Sequence, residues 1–317
     1  MNSLQERRPV VLVAEALDED AVAWLSQRAE VVEVAAAAAP KRFDEALQRA
    51  AGLVVRTYTN VDETLLARAP QLRVVARAGS GLDNIDVEAC CARGVQVVHT
   101  PGANADAVAE LVAALALDAL RPRPAAPIGA DAKTWSSLRR KAIAARELGE
   151  LRVGVLGLGH VGSRVAGVFG AFGCSVFYHD IRVIPTDRRR GARPVSFREL
   201  LEGSELLTIH VDDRPGNRGL IGERELALLR DDALLVNTSR GFVVDERALA
   251  QWLAGHPRAQ AALDVHAVEP IPRSSPLAGL PNARLLPHIG AATRRAHRRM
   301  SQRAVEALWE ALVGRSA

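Results

Sequence analysis

Cysteine is scarce in this chain of 317 residues, which holds three: Cys90, Cys91 and Cys174. An odd number, two of them adjacent and none in a CxxC pair, argues against a disulfide framework and against a thiolate metal site; reduced, packed thiols and no metal are expected. Long apolar runs are missing as well. No window supplies about 20 uninterrupted apolar residues, and the opening MNSLQERRPV has charges but no apolar signal core. Neither export nor membrane spanning is expected, which leaves the cytoplasm as the default. The third absence is charge gathered on one face. The net charge is +4 and the pI about 9.3, yet the basic residues are spread among acids, so a nucleic-acid surface is not indicated. The local runs Arg188–Arg190 and Arg294, Arg295, Arg298 and Arg299 read as solvated faces or subunit contacts.

What the chain has in quantity is apolar residues, 48% of the total, enough to bury a large core in about two domains. From Pro9 it alternates short β-rich runs with amphipathic segments: strands at 10–14, 30–34, 53–56 and 72–77, and helices at 18–28, at 42–50 and after Asp62, with 35–39 a connection. A second series places strands at 153–156, 176–179, 206–210, 234–237, 261–264 and 284–286. Ser196-Phe197-Arg198-Glu199 is a capping box that opens a helix, and Asp245 precedes another. Such alternation means βαβ units and two parallel sheets, an α/β protein with two doubly wound lobes. A breaker-free helix spans 103–120, the prolines of 121–127 forbid helix, and a helical tail from Arg294 to Leu312 packs back onto the first lobe.

The stretch that carries most chemistry is Gly157-Leu158-Gly159-His160-Val161-Gly162, at the end of the apolar run 153–156. Gly157 permits the turn, Gly159 lets the backbone approach a pyrophosphate, and Gly162 lets the helix pack on the strand. The next strand ends at Asp180, 18 residues after Gly162, where a carboxylate accepts from the ribose hydroxyls of NAD and repels the 2′-phosphate of NADP. Arg182 tempers that repulsion. NAD is the expected cofactor.

Other polar residues sit where strands end, the position at which open α/β sheets bind ligands. They are Arg240 in NTSRG, Glu269 in DVHAVEP and His288 in PHIG. Singly, each has a plain reading, as a strand-end cap, a turn residue and a satisfied core histidine. Together with the glycine turn, the segment RAGSGLDNID from Arg77, TPGAN from Thr100 and RGFVVDE from Arg240, they resemble the D-2-hydroxyacid dehydrogenase family, most of all its phosphoglycerate dehydrogenase type. The resemblance runs from about Val54 to Thr293 with the motifs in order.

It implies a Rossmann NAD-binding domain, residues 103–288, inserted into a discontinuous flavodoxin-like substrate domain, residues 1–102 and 289–317, with the active site in the cleft. It implies that His288 is the acid/base, that Glu269 hydrogen-bonds it, and that Arg240 binds the substrate carboxylate and the carbonyl or hydroxyl oxygen. A secondary alcohol yields its hydride only as its proton leaves, which needs a group titrating near neutrality. Asp264 is expected to face the nicotinamide carboxamide, and His160, Val161, His210, Thr238 and Gly290 to line the cofactor. Gly79, Ser80 and Gly81 offer backbone N–H groups to the substrate carboxylate, Asn104 lies on the substrate side, and Arg56 and Arg77 are candidates for a distal anion, most simply a phosphate; the plainer reading pairs them with acids such as Asp83 or Glu63. The partner is then a small 2-hydroxy or 2-keto acid, and the assembly a homodimer, although the prolines of 121–127 interrupt the usual dimer arm. No regulatory domain follows Ala317, so control by serine is not expected. Other readings are a glyoxylate or hydroxypyruvate reductase, a related small-anion dehydrogenase, and an NAD-sensing corepressor.

Two departures stand out. His210-Val211-Asp212-Asp213-Arg214 replaces the family's HVPLT and puts two acids near the expected adenine pocket. His266 stands where relatives commonly have Phe, an extra imidazole near Glu269 whose plainer role is packing.

Overall fold

Each βαβ repeat in the sequence becomes a parallel strand pair in the computed structural model, which describes residues 8–314. The chain divides into two compact units, one made of the described residues up to Asn104 and those from Ala291, the other Ala105–Gly290.

In the first unit, β1 (Val10–Val13), β2 (Glu30–Glu33), β3 (Ala50–Val55), β4 (Val74–Arg77) and β5 (Gln96–His99) form one sheet. The order is β2-β1-β3-β4-β5, with every pair parallel. This is the flavodoxin-like order, whose switch point falls between β1 and β3. The tail helix Arg294–Val313 lays Met300, Ala304, Val305, Leu308 and Leu312 against Val54, Val74 and Ala76 of the sheet, as its apolar periodicity requires.

The second unit carries β6 (Arg152–Leu156), β7 (Ser175–His179), β8 (Arg193–Pro194), β9 (Leu206–Ile209), β10 (Leu234–Asn237), β11 (Gln260–Leu263) and β12 (Ala283–Leu285). Their order is β12-β11-β10-β9-β6-β7-β8, again all parallel. The strand order reverses at β6 and β9, which defines the ligand-binding crevice of a doubly wound sheet. Helix Ala105–Leu120 begins two residues later than the sequence suggests. It packs Val108, Val112 and Leu115 with Val165 and Phe169 of helix His160–Ala171.

The structure adds elements that periodicity does not show. β5 and β8 are extra strands, the latter a two-residue edge containing Pro194, where a missing N–H costs no ladder bond. Helix Val87–Ala92 is capped by Asp86 and helix Ala132–Lys141 by Asp131. The second of these buries none of its residues, so no apolar stripe announces it. Among the described residues no helix is long and apolar enough to cross a membrane.

Candidate active site

At the crevice of the second unit, β6 runs into Gly157, whose φ of +87° is open to glycine and strained for other residues. A side chain there would also meet the carbonyl of His210, at 2.7 Å from an added Cβ. Gly162, in the first turn of helix His160–Ala171, packs so closely on the Gly157 carbonyl that a Cβ would overlap it. Gly159 is the N-cap and supplies no side-chain cap, so the first-turn N–H groups keep their capacity for an anion. Asp180 closes this end. Its Oδ2 accepts from Leu158 N at 2.8 Å and its Oδ1 from Arg182 N and Nε at 2.9 and 3.2 Å. Burial alone would raise the Asp180 carboxyl, but those bonds, with the Arg182 charge, hold it below the usual carboxylate range. His210, after β9, bonds Thr208 Oγ1 through Nε2 at 2.8 Å, and desolvation pushes its imidazole down to about 3. It is a neutral hydrogen-bonding group in the physiological range.

Three features fit a dinucleotide: the glycine cradle with its uncapped helix start, the carboxylate after β7, and Thr238 after β10, whose buried Oγ1 has no partner among the described residues. The acids of the altered HVDDR stretch do not stand bare, because Arg214 pairs with Asp212 through Nε at 2.6 Å.

Further along the same sheet edge, Glu269 Oε2 lies 2.8 Å from His288 Nδ1. A carboxylate is acceptor only, so Nδ1 carries the proton and Nε2 is the atom left for exchange. The His288 side chain is 40% exposed. The Glu269 hydrogen bond raises the His288 pKa against the opposing effects of burial and of nearby Arg240. For Glu269, burial is upward but outweighed by His288 and by the N–H of His266, so its carboxyl is held low. Arg240 follows β10, with NH1 on the Ser239 carbonyl at 2.7 Å. Its own carbonyl accepts from buried Asn237, which also accepts from Ser239. Arg240, Glu269 and His288 therefore belong to one unit.

Asp264 has a role the sequence did not suggest. It is 1% exposed, and its oxygens accept from Ile289 N and Gly290 N at 2.7 Å each. Desolvation raises its pKa despite those bonds and the nearby His288. A carboxylate that clamps two backbone donors fixes the turn carrying His288.

The first unit holds the remaining candidates. Past β4, both carbonyls of the Gly79-Ser80 turn are tied down: Gly79 O by Thr100 N and Oγ1 at 3.0 and 3.2 Å, Ser80 O by His99 Nδ1 at 2.8 Å. Ser80 Oγ donates to Asn104 Oδ1 at 3.1 Å. The N–H groups of Ser80 and Gly81 make no bond among the described residues, so the turn presents donors suited to a carboxylate. Of the two residues that do the holding, His99 was not singled out from sequence, and Thr100 entered only as the start of the TPGAN motif. Arg77 is 7% exposed, with Nε on Asn84 Oδ1 at 2.9 Å. Arg56 donates NH1 to the Ala16 carbonyl at 3.1 Å. At the switch point, Glu15 accepts from the backbone N–H groups of Arg56, Thr57, Tyr58 and Thr59. Among the described residues no group of three or more His, Cys, Asp or Glu is placed to hold a metal.

A doubly wound sheet with a glycine turn at its switch point, and a histidine–carboxylate pair on the same edge, has the arrangement of a nucleotide-binding α/β protein. Residues 113–290 match the family described as D-isomer specific 2-hydroxyacid dehydrogenase, NAD binding domain. D-3-phosphoglycerate dehydrogenase of Mycobacterium bovis is 40% identical over 308 residues, 96% of this chain and 57% of that protein. The chain thus spans little more than half the length of that relative. Glyoxylate reductase of Aeropyrum pernix is 38% identical, over 95% of this chain and 92% of its own. The crystal structure of D-lactate dehydrogenase from Aquifex aeolicus, complexed with NAD and lactic acid, aligns with a TM-score of 0.79 at 25% identity, covering 96% of each chain. The chain belongs to the D-isomer specific 2-hydroxyacid dehydrogenase family, and its second unit contains that family's NAD-binding domain.

Proposed function

We propose that this chain is an NAD-dependent oxidoreductase interconverting a D-2-hydroxy acid and its 2-keto acid. The observation that carries the reading is the 2.8 Å bond between His288 Nδ1 and Glu269 Oε2, which leaves Nε2 to exchange a proton. Gly157, Gly159, His160, Val161 and Gly162 would hold the pyrophosphate, Asp180 the adenosine ribose, and His210, Thr238, Asp264 and Gly290 the remainder. Bound NAD supplies the hydride acceptor or donor. Arg240 sets the substrate's carboxylate and its carbonyl or hydroxyl oxygen. In oxidation neutral His288 takes the hydroxyl proton and Glu269 stabilises the imidazolium so formed; in reduction the imidazolium returns it. The Ser80 and Gly81 N–H groups would offer two further donors to a carboxylate.

The finer reading is D-3-phosphoglycerate, supported by the 40% identity and by two further arginines, Arg56 and Arg77, assigned to a distal phosphate. One observation favours a second reading, a glyoxylate or hydroxypyruvate reductase: Arg77 is buried and engaged by Asn84, which commits one of the two guanidiniums to the protein. The test is steady-state kinetics with 3-phosphoglycerate, D-glycerate, glyoxylate and hydroxypyruvate, in wild type and in Arg56→Ala. Preference for the phosphorylated acid that collapses in the variant supports phosphoglycerate. Equal use of D-glycerate supports the second reading. Inactivity on every acid, with NAD-dependent binding of a protein partner, would favour the corepressor reading instead.

A further inference from the structure

His288 has a φ of +55°, a left-handed conformation that a residue with a Cβ adopts only when its surroundings impose it. On its C-terminal side the imposition comes from Asp264, through Ile289 N and Gly290 N. On its N-terminal side Leu286 N donates to Leu263 O at 2.8 Å, and Leu286 O is 2.8 Å from His266 Nε2. A carbonyl only accepts, so the His266 ring carries its proton on Nε2. The ring is buried, 7% exposed, where a lost partner would leave the Leu286 carbonyl without this bond. The backbone N of the same residue donates to Glu269 Oε1 at 3.0 Å, and Glu269 Oε2 bonds His288. His266 thus holds both members of a pair to which it does not belong, Glu269 by its main chain and the His288 turn by its ring.

We propose that His266 is a positioning residue for the acid/base pair: its Nε2–H bond to the Leu286 carbonyl fixes the turn from which His288 meets Glu269. The inference rests on the reading of His288 as the acid/base. A residue that merely filled space could be replaced by phenylalanine, similar in size but without the donor. The charged groups around His288 are Glu269, Asp264 and Arg240, and none of them is altered by that change.

The experiment is nitrogen-15 imidazole NMR on the cofactor-free protein, with signals assigned through His266→Gln and His288→Gln, alongside kinetics with NADH and the best 2-keto acid. In wild type, His266 is expected as the Nε2–H tautomer and His288 to titrate above the ordinary histidine value. In His266→Phe the His288 titration should fall toward that value and kcat for reduction by roughly 2–10-fold, the worth of one neutral hydrogen bond, with KM for NADH unchanged. His266→Gln, whose terminal amide can reach the same carbonyl, should stay near wild type in both readouts. A His288 titration and kcat unmoved in His266→Phe would overturn the proposal. So would a wild-type His266 protonated on Nδ1 alone, a readout that does not depend on His266→Phe folding. If wild type reduces no 2-keto acid, the acid/base reading fails, while the NMR still decides whether His266 positions the pair.

Discussion

Replacing Glu269 with glutamine changes one oxygen to an NH2 group and leaves the shape alone. The carboxylate accepts two bonds, from His266 N on Oε1 and from His288 Nδ1 on Oε2. A glutamine amide has one acceptor, so its NH2 must face one of those two donors, and the charge that favours imidazolium is gone. A hydrogen bond to a charged group contributes about 1.5–3 kcal/mol. His288 and Glu269 are 40% and 34% exposed, so solvent screening selects the lower end, and about 1.5 kcal/mol is roughly tenfold in rate. The sign follows from Glu269 raising the His288 pKa. Without it that pKa falls, so reduction, which needs imidazolium, loses its rate at lower pH than in wild type. Oxidation, which needs neutral imidazole, begins at lower pH. Near neutrality Glu269→Gln should reduce a 2-keto acid roughly tenfold more slowly, and the gap should narrow below about pH 6 as both proteins become protonated. NADH absorbance, followed in both directions across pH at saturating cofactor, measures this. Profiles that superimpose on wild type in both directions would refute the coupling.

Asp180 bonds Arg182 and lies 6% exposed, so wild type should prefer NADH to NADPH; Asp180→Ser should release Arg182 toward a 2′-phosphate and move the kcat/KM ratio toward NADPH, and equal efficiency in wild type would overturn the assignment. Gly162→Ala drives a Cβ onto the Gly157 carbonyl, for which a loss of about 1–3 kcal/mol is expected, read as a lower Tm with weaker NADH binding by fluorescence titration. Burial raises the Glu15 pKa, but four backbone N–H groups lower it further, and the net shift is downward. The stability Glu15 contributes is therefore complete above its unfolded value and lost as pH falls through the lower folded one. Glu15→Gln should cost about 1–2 kcal/mol at neutral pH and converge with wild type in acid, as urea denaturation at several pH values would show.

Most strands of both sheets were legible from sequence because they are apolar runs buried on two faces, as in β6 and β9. β5, with Gln96 exposed and its other three residues partly buried, was not read. The glycine turn was legible through local sterics, and the candidate residues Arg240, Glu269 and His288 through the family motifs around them. Their supports were not. Thr100 and His99 hold the Gly79-Ser80 carbonyls across 19 to 21 residues, and Asp264 reaches Ile289 and Gly290 across 25 and 26. No period in the sequence encodes such pairings; they arise because parallel strands bring their C-terminal ends to one edge.

That edge explains why acids recur there as structural clamps. Loops leaving parallel strands expose N–H groups that no ladder satisfies, and a carboxylate, with two oxygens and about four lone-pair sites, is the side chain that can take several at once. Glu15 takes four on the loop after β3, Asp264 two on the turn after β12, and Asp180 those of Leu158 and Arg182. Two of these clamps also place a negative charge beside a cationic candidate: Asp180 beside Arg182 and Asp264 beside His288. The acids that shape the loops therefore also set the electrostatics of the groups the loops carry. Neutralising one should move a neighbour's titration or ligand preference even where the fold survives, and an Asp-to-Glu exchange, which keeps the charge but misplaces the oxygens, should separate the two effects.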